Sequence, residues 1–356
     1  MKIAFLSFYS GVLDRGVEAF VHELSNRLVS FGHRITVYQT GPAMKGSKYK
    51  TVTVPIKVHF SSEGLLAAGI NQVKDILAGR EFAVKSLALV DSDTQIIIPT
   101  NNRWQGILSR FWATRHHAKM IISGHGGPGI DERIALWSFP DVFVPLSNFQ
   151  RDWARAANPF LKRLIKIPNG VDVEKFSLKT KPLEIDLPRP IVLCVGAMWP
   201  WMKRQDLLIR AMGQLSSGSL LLVGDGEGKN QLQKLGDTCF KGRFKIISLP
   251  YNQMPKVYTA CDVFTYPTSP WEAFGIVLLE AMASGLPVVA NDDPIRREIV
   301  GDAGLFVDPT DTAAYAQALE KALSTDWGDK PRRQAAKFSW DKIAKLYDLC
   351  FHNCLK

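Results

Sequence analysis

The sequence predicts an α/β protein made of two Rossmann-like domains, and three observations carry that reading. The chain has 356 residues, which at roughly 100–200 residues per domain gives two. Short apolar runs alternate with helical periodicity along its length, as expected for parallel strands buried on both faces by crossover helices. The alternation breaks once, at residues 177–190 (SLKTKPLEIDLPRP), where three prolines and no periodicity mark a linker. It then restarts.

In the first half, KIAFLSF (2–8) reads as the opening strand. Val17, Phe20, Val21, Leu24, Leu28 and Val29 follow the i, i+3, i+4, i+7 stripe of an amphipathic helix. RITVY (34–38) and TVTVPI (51–56) read as strands, residues 63–90 as a helix, and QIIIP (95–99) as a strand. A helix pattern covers 103–117, and KMIIS (119–123), DVFVPLS (141–147) and LIKIPNG (164–170) follow as strands. After the linker, PIVLCVG (190–196), SLLLVG (219–224), FKIISL (244–249), DVFTYP (262–267) and LPVVA (286–290) read as strands. Helices are expected near 202–214, 252–260, 273–284, 311–323 and 339–355. Two such domains on a linker predict a cleft at the strand C-terminal edges, where open α/β sheets bind ligands.

Composition excludes several classes. A hydrophobic fraction of 46% and a charged fraction of 22% are ordinary for a folded domain and exclude a disordered or collagen-like chain. No apolar run reaches the ~20 residues of a transmembrane helix; Ile276–Ala290 is broken by Glu280. The N-terminus MKIAFLSFYSGV lacks a small-x-small cleavage site and reads as a strand rather than a signal peptide. Five scattered cysteines without C-x-x-C favour reduced thiols in the cytoplasm over disulfides or a zinc site. Charge is uneven. Residues 1–180 hold 23 Lys+Arg against 14 Asp+Glu, and residues 181–356 hold 21 against 20. A basic first half suits an anionic membrane, a nucleic acid or a phosphorylated substrate, or is simply a solvated surface.

The most informative stretch is PTSPWEAFGIVLLEAMASGLPVV (267–289). Glu272 and Glu280 stand eight apart with Phe274 and Gly275 between them. A helix starting here would aim its N-terminal N–H groups at an anion. Gly275 would let a phosphate approach the backbone, and Glu280 would lie within reach of ribose hydroxyls. The alternative makes Glu272 an N-cap and Glu280 a surface charge. Yet Glu280 sits in IVLLEAMA, and a buried carboxylate needs a partner.

This pattern, with the following EAMASGLPVV, resembles retaining glycosyltransferase family 4, whose members have the GT-B fold. Four further segments match in the family's order. They are FLSFYSGVLDRGVEAFVHELSNRLVSFGHRITVY, IPNGVDVEKF (167–176), VLCVGAMWPWMKRQDLLIRA (192–211) and LVGDGEG (222–228). The resemblance implies residues 1–178 as an acceptor domain and 190–337 as a nucleotide-sugar donor domain. The helix at 338–356 is expected to pack on the first domain. It also implies retention at the anomeric carbon, a UDP- or GDP-sugar donor, a glycan or lipid-linked acceptor, and no bound metal or other cofactor. Glu280 matches the ribose-binding glutamate, and Glu272 the glutamate near the donor sugar. Phe274, Gly275 and Ile276 match backbone positions that meet sugar and diphosphate. Lys203 matches the lysine that neutralises the diphosphate, Gly16 the loop that approaches it, and His125 a histidine near the sugar. The alternative for Lys203 is a solvated lysine.

One departure stands out. The family's arginine after the VG is Ala197 here, and Arg204 follows Lys203 where a small residue is usual. Losing a guanidinium removes a bidentate phosphate contact; either Arg204 offsets it or the WPWM insert (199–202) reshapes the loop. The resemblance implies sugar transfer from a nucleotide sugar; a GT-B epimerase or hydrolase of nucleotide sugars is the near alternative. A dehydrogenase is disfavoured because no G-x-G-x-x-G follows a first strand. A nucleic-acid binder is disfavoured by the absence of any known binding signature. The segment 103–119, with Arg103, Arg110, Arg115 and Lys119 among Trp104, Phe111 and Trp112, raises peripheral contact with an anionic membrane; its other reading is a core-facing aromatic side. The loop KGSKYK (45–50) is a second basic candidate.

Overall fold

The computed structural model describes residues 1–13, 15–56, 65–101, 103–240, 242–270 and 272–356. The chain divides into two compact units, Met1–Asn169 with Trp340–Lys356, and Gly170–Ser339.

The first unit is a parallel six-stranded sheet in the order β3-β2-β1-β4-β5-β6. Its strands are β1 (Lys2–Ser7), β2 (Arg34–Gln39), β3 (Lys50–Thr53), β4 (Ile96–Pro99), β5 (Lys119–Ser123) and β6 (Val142–Val144). Its helices are α1 (Gly16–Ser30), α2 (Leu65–Leu89), α3 (Trp104–Arg115), α4 (Ile130–Trp137) and α5 (Asn148–Ala157). The helix expected over 63–90 is α2; its first two expected residues lie outside the described residues. α4 and α5 were not anticipated, because α4 has one apolar turn and α5 is short and polar. The strand expected at 164–170 shrinks to a bridge between Leu164 and Phe143. Pro145 and Pro168 flank that pairing, and proline cannot donate to a ladder.

The second unit repeats the plan with the order β12-β11-β10-β7-β8-β9, all parallel. Its elements in chain order begin with β7 (Ile191–Val195), α6 (Pro200–Lys203), α7 (Gln205–Met212), β8 (Ser219–Val223), α8 (Lys229–Cys239) and β9 (Phe244–Ile247). They continue with α9 (Met254–Tyr258), β10 (Val263–Tyr266), α10 (Ile276–Ala283), β11 (Val288–Asn291), α11 (Pro294–Val300), β12 (Gly304–Val307), α12 (Thr312–Ser324) and α13 (Lys330–Ala336). The single helix expected over 202–214 is two, broken at Arg204, whose backbone is left-handed (φ 44°).

The first unit ends at Asn169 rather than near 178, for a packing reason. Val171 N–H donates to the Phe338 carbonyl at 2.9 Å and Leu183 N–H to the Lys256 carbonyl at 2.9 Å. Phe176 packs against Tyr258 with ring centres 5.7 Å apart. The proline-rich stretch 177–190 therefore belongs to the second unit.

The last helix, α14 (Trp340–Leu355), is part of the first unit. Its apolar face (Trp340, Ile343, Tyr347, Phe351) joins Phe20, Leu24 and Leu28 of α1 in one buried cluster. Polar bonds fix its register. Tyr347 and Ser123 share a buried hydroxyl bond of 2.9 Å, His33 Nε2 lies 2.7 Å from Asp348, and Arg27 donates to Asp341 at 2.8 Å. Phe351 is fully buried. Truncating it leaves a cavity as well as losing transfer energy, so Phe351→Ala is expected to cost about 3–5 kcal/mol. A urea melt of the full chain checks this; a loss under about 1 kcal/mol would mean that α14 does not complete the core.

Candidate active site

The chemistry-bearing residues of the second unit gather where β7 and β10 end. β7 runs into Gly196–Met198, and β8 into Gly224–Gly226. These loops pack backbone on backbone. Met198 N–H donates to the Asp225 carbonyl at 2.8 Å, and a Cβ on Gly224 would sit 2.0 Å from the Gly196 carbonyl oxygen. Only glycine fits there.

Lys203 closes α6, its N–H bonded to the Trp199 carbonyl at 2.8 Å. Its ammonium donates to Tyr266 Oη at 2.8 Å and pairs with Glu272 Oε2. Tyr266 Oη donates in turn to Glu272 Oε2 at 3.1 Å. The side chains of Lys203 and Glu272 are only 14% and 16% exposed, which removes the solvated-lysine reading. Burial alone would lower the Lys203 pKa; Tyr266 and Glu272 outweigh it, and the ammonium is held protonated above its ordinary range. Burial alone would raise Glu272; Lys203 outweighs it, Arg296 adds to the effect, and the carboxylate stays ionised below its usual range. The pair is thus fully charged at neutral pH and neutralised internally.

Gly275 is the N-cap of α10, with φ 88° and no side-chain cap. A Cβ there would strike Tyr266 Cε1 at 2.9 Å, so the residue must be glycine twice over. Phe274 is buried against Phe338, ring centres 6.4 Å apart, and Ile276 starts the helix. Glu272 is therefore not the cap of α10. The uncapped helix start keeps its partial positive charge available to an anion.

Glu280 is 4% exposed, which excludes the surface-charge reading. Both carboxylate oxygens are bonded: Tyr251 Oη donates to Oε1 and Tyr258 Oη to Oε2, each at 2.9 Å. Burial pushes the carboxyl pKa up, and the two tyrosine donors pull it part of the way back. A carboxylate has about four lone-pair sites, so two acceptor positions remain for a diol. Tyr251 lies on a 3₁₀ turn (Tyr251–Gln253), with the Lys175 ammonium 4.0 Å from its ring centre.

Sequence reasoning missed Arg296. Its side chain is fully buried in α11. It donates to the Thr268 hydroxyl at 2.5 Å and to the Glu272 carbonyl at 3.1 Å, and lies 3.4 Å from the Asp293 carboxylate. Asn291 Oδ1 accepts from Thr268 N–H at 3.0 Å and Asn291 Nδ2 donates to the Thr268 carbonyl at 2.7 Å. Ser269 N–H donates to the Met202 carbonyl at 2.8 Å, and its buried hydroxyl has no partner among the described residues. These bonds fix the chain that carries Glu272. An arginine amid IRREIV gave no periodic signal beyond a solvated helix end.

The other expected residues have partners of their own or lie in the first unit. Arg204 turns toward Asp206, 3.3 Å away, so its side chain is engaged by a carboxylate. In the first unit, Gly16 begins α1, and Arg15 beside it pairs with the buried Glu18 at 3.0 Å. His125 follows β5, its ring 4.4 Å from that of Phe20. Its Nε2 is buried with no hydrogen-bond partner among the described residues. Burial pushes its pKa down to about 3, so it is a neutral imidazole at pH 7. Gln150 donates to the Gly124 carbonyl at 2.8 Å and to buried Glu132 at 3.0 Å, anchoring the loop at its base. Among the described residues no group of three or more His, Cys, Asp or Glu is placed to hold a metal ion.

Two family profiles match this architecture. Glycosyltransferase Family 4 matches residues 15–175, and Glycosyl transferases group 1 matches residues 189–325. The chain belongs to this glycosyltransferase family and is a transferase enzyme of the GT-B fold. A phosphatidyl-myo-inositol mannosyltransferase of Mycolicibacterium smegmatis is 27% identical over 342 residues, spanning 92% of this chain and 86% of that protein. A GDP-mannose-dependent monoacylated alpha-(1-6)-phosphatidylinositol monomannoside mannosyltransferase of Corynebacterium glutamicum is 32% identical over 246 residues, 62% of this chain and 63% of that protein. The crystal structure of Anabaena Alr3699/HepE in complex with UDP and glucose superposes with a TM-score of 0.78 at 18% identity, over 99% of this chain and 100% of that one. At that identity the likeness is one of fold.

Arg296→Gln removes a buried guanidinium bonded to two groups and leaves Asp293 without it. The expected loss is about 2–4 kcal/mol, read by urea denaturation. A loss below about 0.5 kcal/mol would show that Arg296 does not hold the Glu272 segment.

Proposed function

We propose that this chain moves a sugar, with retention at the anomeric carbon, from a nucleoside diphosphate sugar to a hydroxyl of a glycan or lipid-linked acceptor. The observation that carries the reading is the pairing of two features in one unit. A charged Lys203 is balanced by Glu272 and hydrogen-bonded to Tyr266, beside an uncapped start of α10. A second buried carboxylate, Glu280, lies further along the same helix. The donor's diphosphate meets Lys203 and the α10 N-terminus, and Glu280 accepts from the ribose.

In the transfer, the bond between the anomeric carbon and the β-phosphate oxygen breaks with its electron pair leaving on phosphate. The acceptor oxygen forms the new bond, and its proton passes to the leaving phosphate on the same face. Negative charge grows on the phosphate as the bond breaks. A fixed ammonium and an oriented helix start stabilise it without reorganising. Glu272, released from Lys203 as the diphosphate takes over that cation, is then available to the sugar hydroxyls.

The guanosine donor is favoured, because a relative 32% identical is named a GDP-mannose-dependent mannosyltransferase. The same relatives are named for phosphatidylinositol acceptors, which supports a lipid-linked hydroxyl as the acceptor here. No helix among the described residues is long and apolar enough to cross a membrane. Such an acceptor would be met by a protein in peripheral contact with the bilayer surface.

A thermal-shift panel with GDP, UDP and ADP tests the donor site. A ligand at 100 times its dissociation constant stabilises by about 2.7 kcal/mol. GDP is expected to give the largest shift, and Glu280→Ala to abolish it with the unliganded melt still cooperative. Lys203→Ala is expected to lower kcat by about 10²–10³. An unchanged shift in Glu280→Ala, or a wild-type kcat in Lys203→Ala, would remove those residues from the donor site.

A further inference from the structure

The face that the sequence offered for a membrane, the α3 segment, divides in two. Trp112 is partly buried against the core and stacks on His116 at 4.2 Å, whereas Phe111 is 71% exposed. A stronger feature lies at the C-terminal end of α4 and the turn after α5. Trp137, Phe139 and Phe160 are 49%, 46% and 70% exposed. Their rings form one cluster, with Trp137 centred 5.7 Å from Phe139 and 6.5 Å from Phe160.

The cluster is built rather than frayed. Trp137 Nε1 donates to the Ala157 carbonyl at 3.1 Å. Buried Asn158 donates to the Leu136 carbonyl at 2.9 Å and accepts from Phe160 N–H at 3.0 Å, so one side chain fixes both sides of the cluster. Phe139 has a left-handed backbone (φ 54°), a conformation where glycine or asparagine is favoured. The aromatic ring held there is nonetheless left nearly half exposed.

The stretch of chain that carries the cluster is cationic. Residues 103–166 hold ten Lys and Arg against four Asp and Glu. Each acid is already engaged or buried: Asp131 with Arg103, Asp141 with Arg110, Asp152 with Arg151, and Glu132 inside the unit. Arg110 also donates to the Phe139 carbonyl at 3.2 Å. Arg155 and Lys162 stand exposed within two residues of Ala157 and Phe160.

We propose that the Trp137–Phe139–Phe160 cluster, with Arg155 and Lys162 beside it, docks this unit on an anionic phospholipid bilayer. Exposed apolar patches with a polar rim mark interaction sites. Aromatic rings with a polar edge settle at headgroup depth, and neighbouring Lys and Arg add attraction to anionic lipid. The proposal extends the lipid-linked acceptor reading. Vesicle binding needs no transfer activity, so the two readings fail separately.

The test is flotation of the full chain with phosphatidylcholine vesicles, with and without phosphatidylglycerol. The wild type is expected to float with the phosphatidylglycerol vesicles, less so at high salt, and to stay behind with phosphatidylcholine alone. Phe139→Asn with Phe160→Ser is expected to cut the bound fraction about tenfold. The melting temperature and the nucleotide shift should hold, since asparagine accepts the left-handed backbone. Arg155→Glu with Lys162→Glu is expected to lose binding without touching an aromatic ring. Wild-type flotation in both double variants would overturn the proposal, as would a wild type that ignores phosphatidylglycerol. A dimer seen by light scattering that Phe139→Asn with Phe160→Ser splits, with no vesicle binding, would assign the face to a second copy of the chain.

Discussion

A lysine and a glutamate taken out of water together constrain most of the second unit. Neither charge is tolerable alone at the Lys203–Glu272 site, because desolvation of each costs several kcal/mol. Together they survive because Tyr266 bonds both and Arg296 lies behind the Glu272 backbone. That arrangement dictates a glycine at 275, since the Tyr266 ring fills the place of a side chain. It also requires Asn291 and Thr268 to lock the preceding chain. The proposed function has a diphosphate take the place of Glu272 at the Lys203 ammonium.

Much of the fold was legible because it rests on periodicity. The strands at 2–8, 190–196 and 219–224 are mostly apolar runs, that at 34–38 alternates, and α1 and α14 carry clear stripes. What periodicity does not encode was missed. α5 is short and polar, α11 is only seven residues long, β12 is only partly buried, and the run at 164–170, with Pro168 in it, keeps a single bridge. The 177–190 stretch reads as a linker by composition, yet its backbone bonds to α9. Composition marks where regular structure stops, not which unit the irregular chain leans on.

The candidate site was legible in part, for the same reason. Glu272, Gly275, Glu280 and Lys203 were found because a motif order singles them out, and three of their partners were not. Tyr251, Tyr258 and Arg296 lie 29, 22 and 24 residues from the carboxylate-bearing residues they bond, and no local pattern announces such a contact. Arg204, expected to offset the absent arginine at 197, follows Lys203 on a left-handed backbone and pairs with Asp206. The exposed aromatics after α4 and α5 were likewise invisible, since their meeting depends on the turn that Asn158 ties together.

The central claim is that a nucleoside diphosphate displaces Glu272 from Lys203. A crystal structure of the chain soaked with GDP tests it most directly. The account predicts a phosphate oxygen within hydrogen-bond distance of Lys203 Nζ and of the first N–H groups of α10. The ribose should lie on Glu280, and the Glu272 carboxylate should no longer pair with Lys203. A diphosphate bound elsewhere, or one bound with the Lys203–Glu272 pair intact, would contradict it.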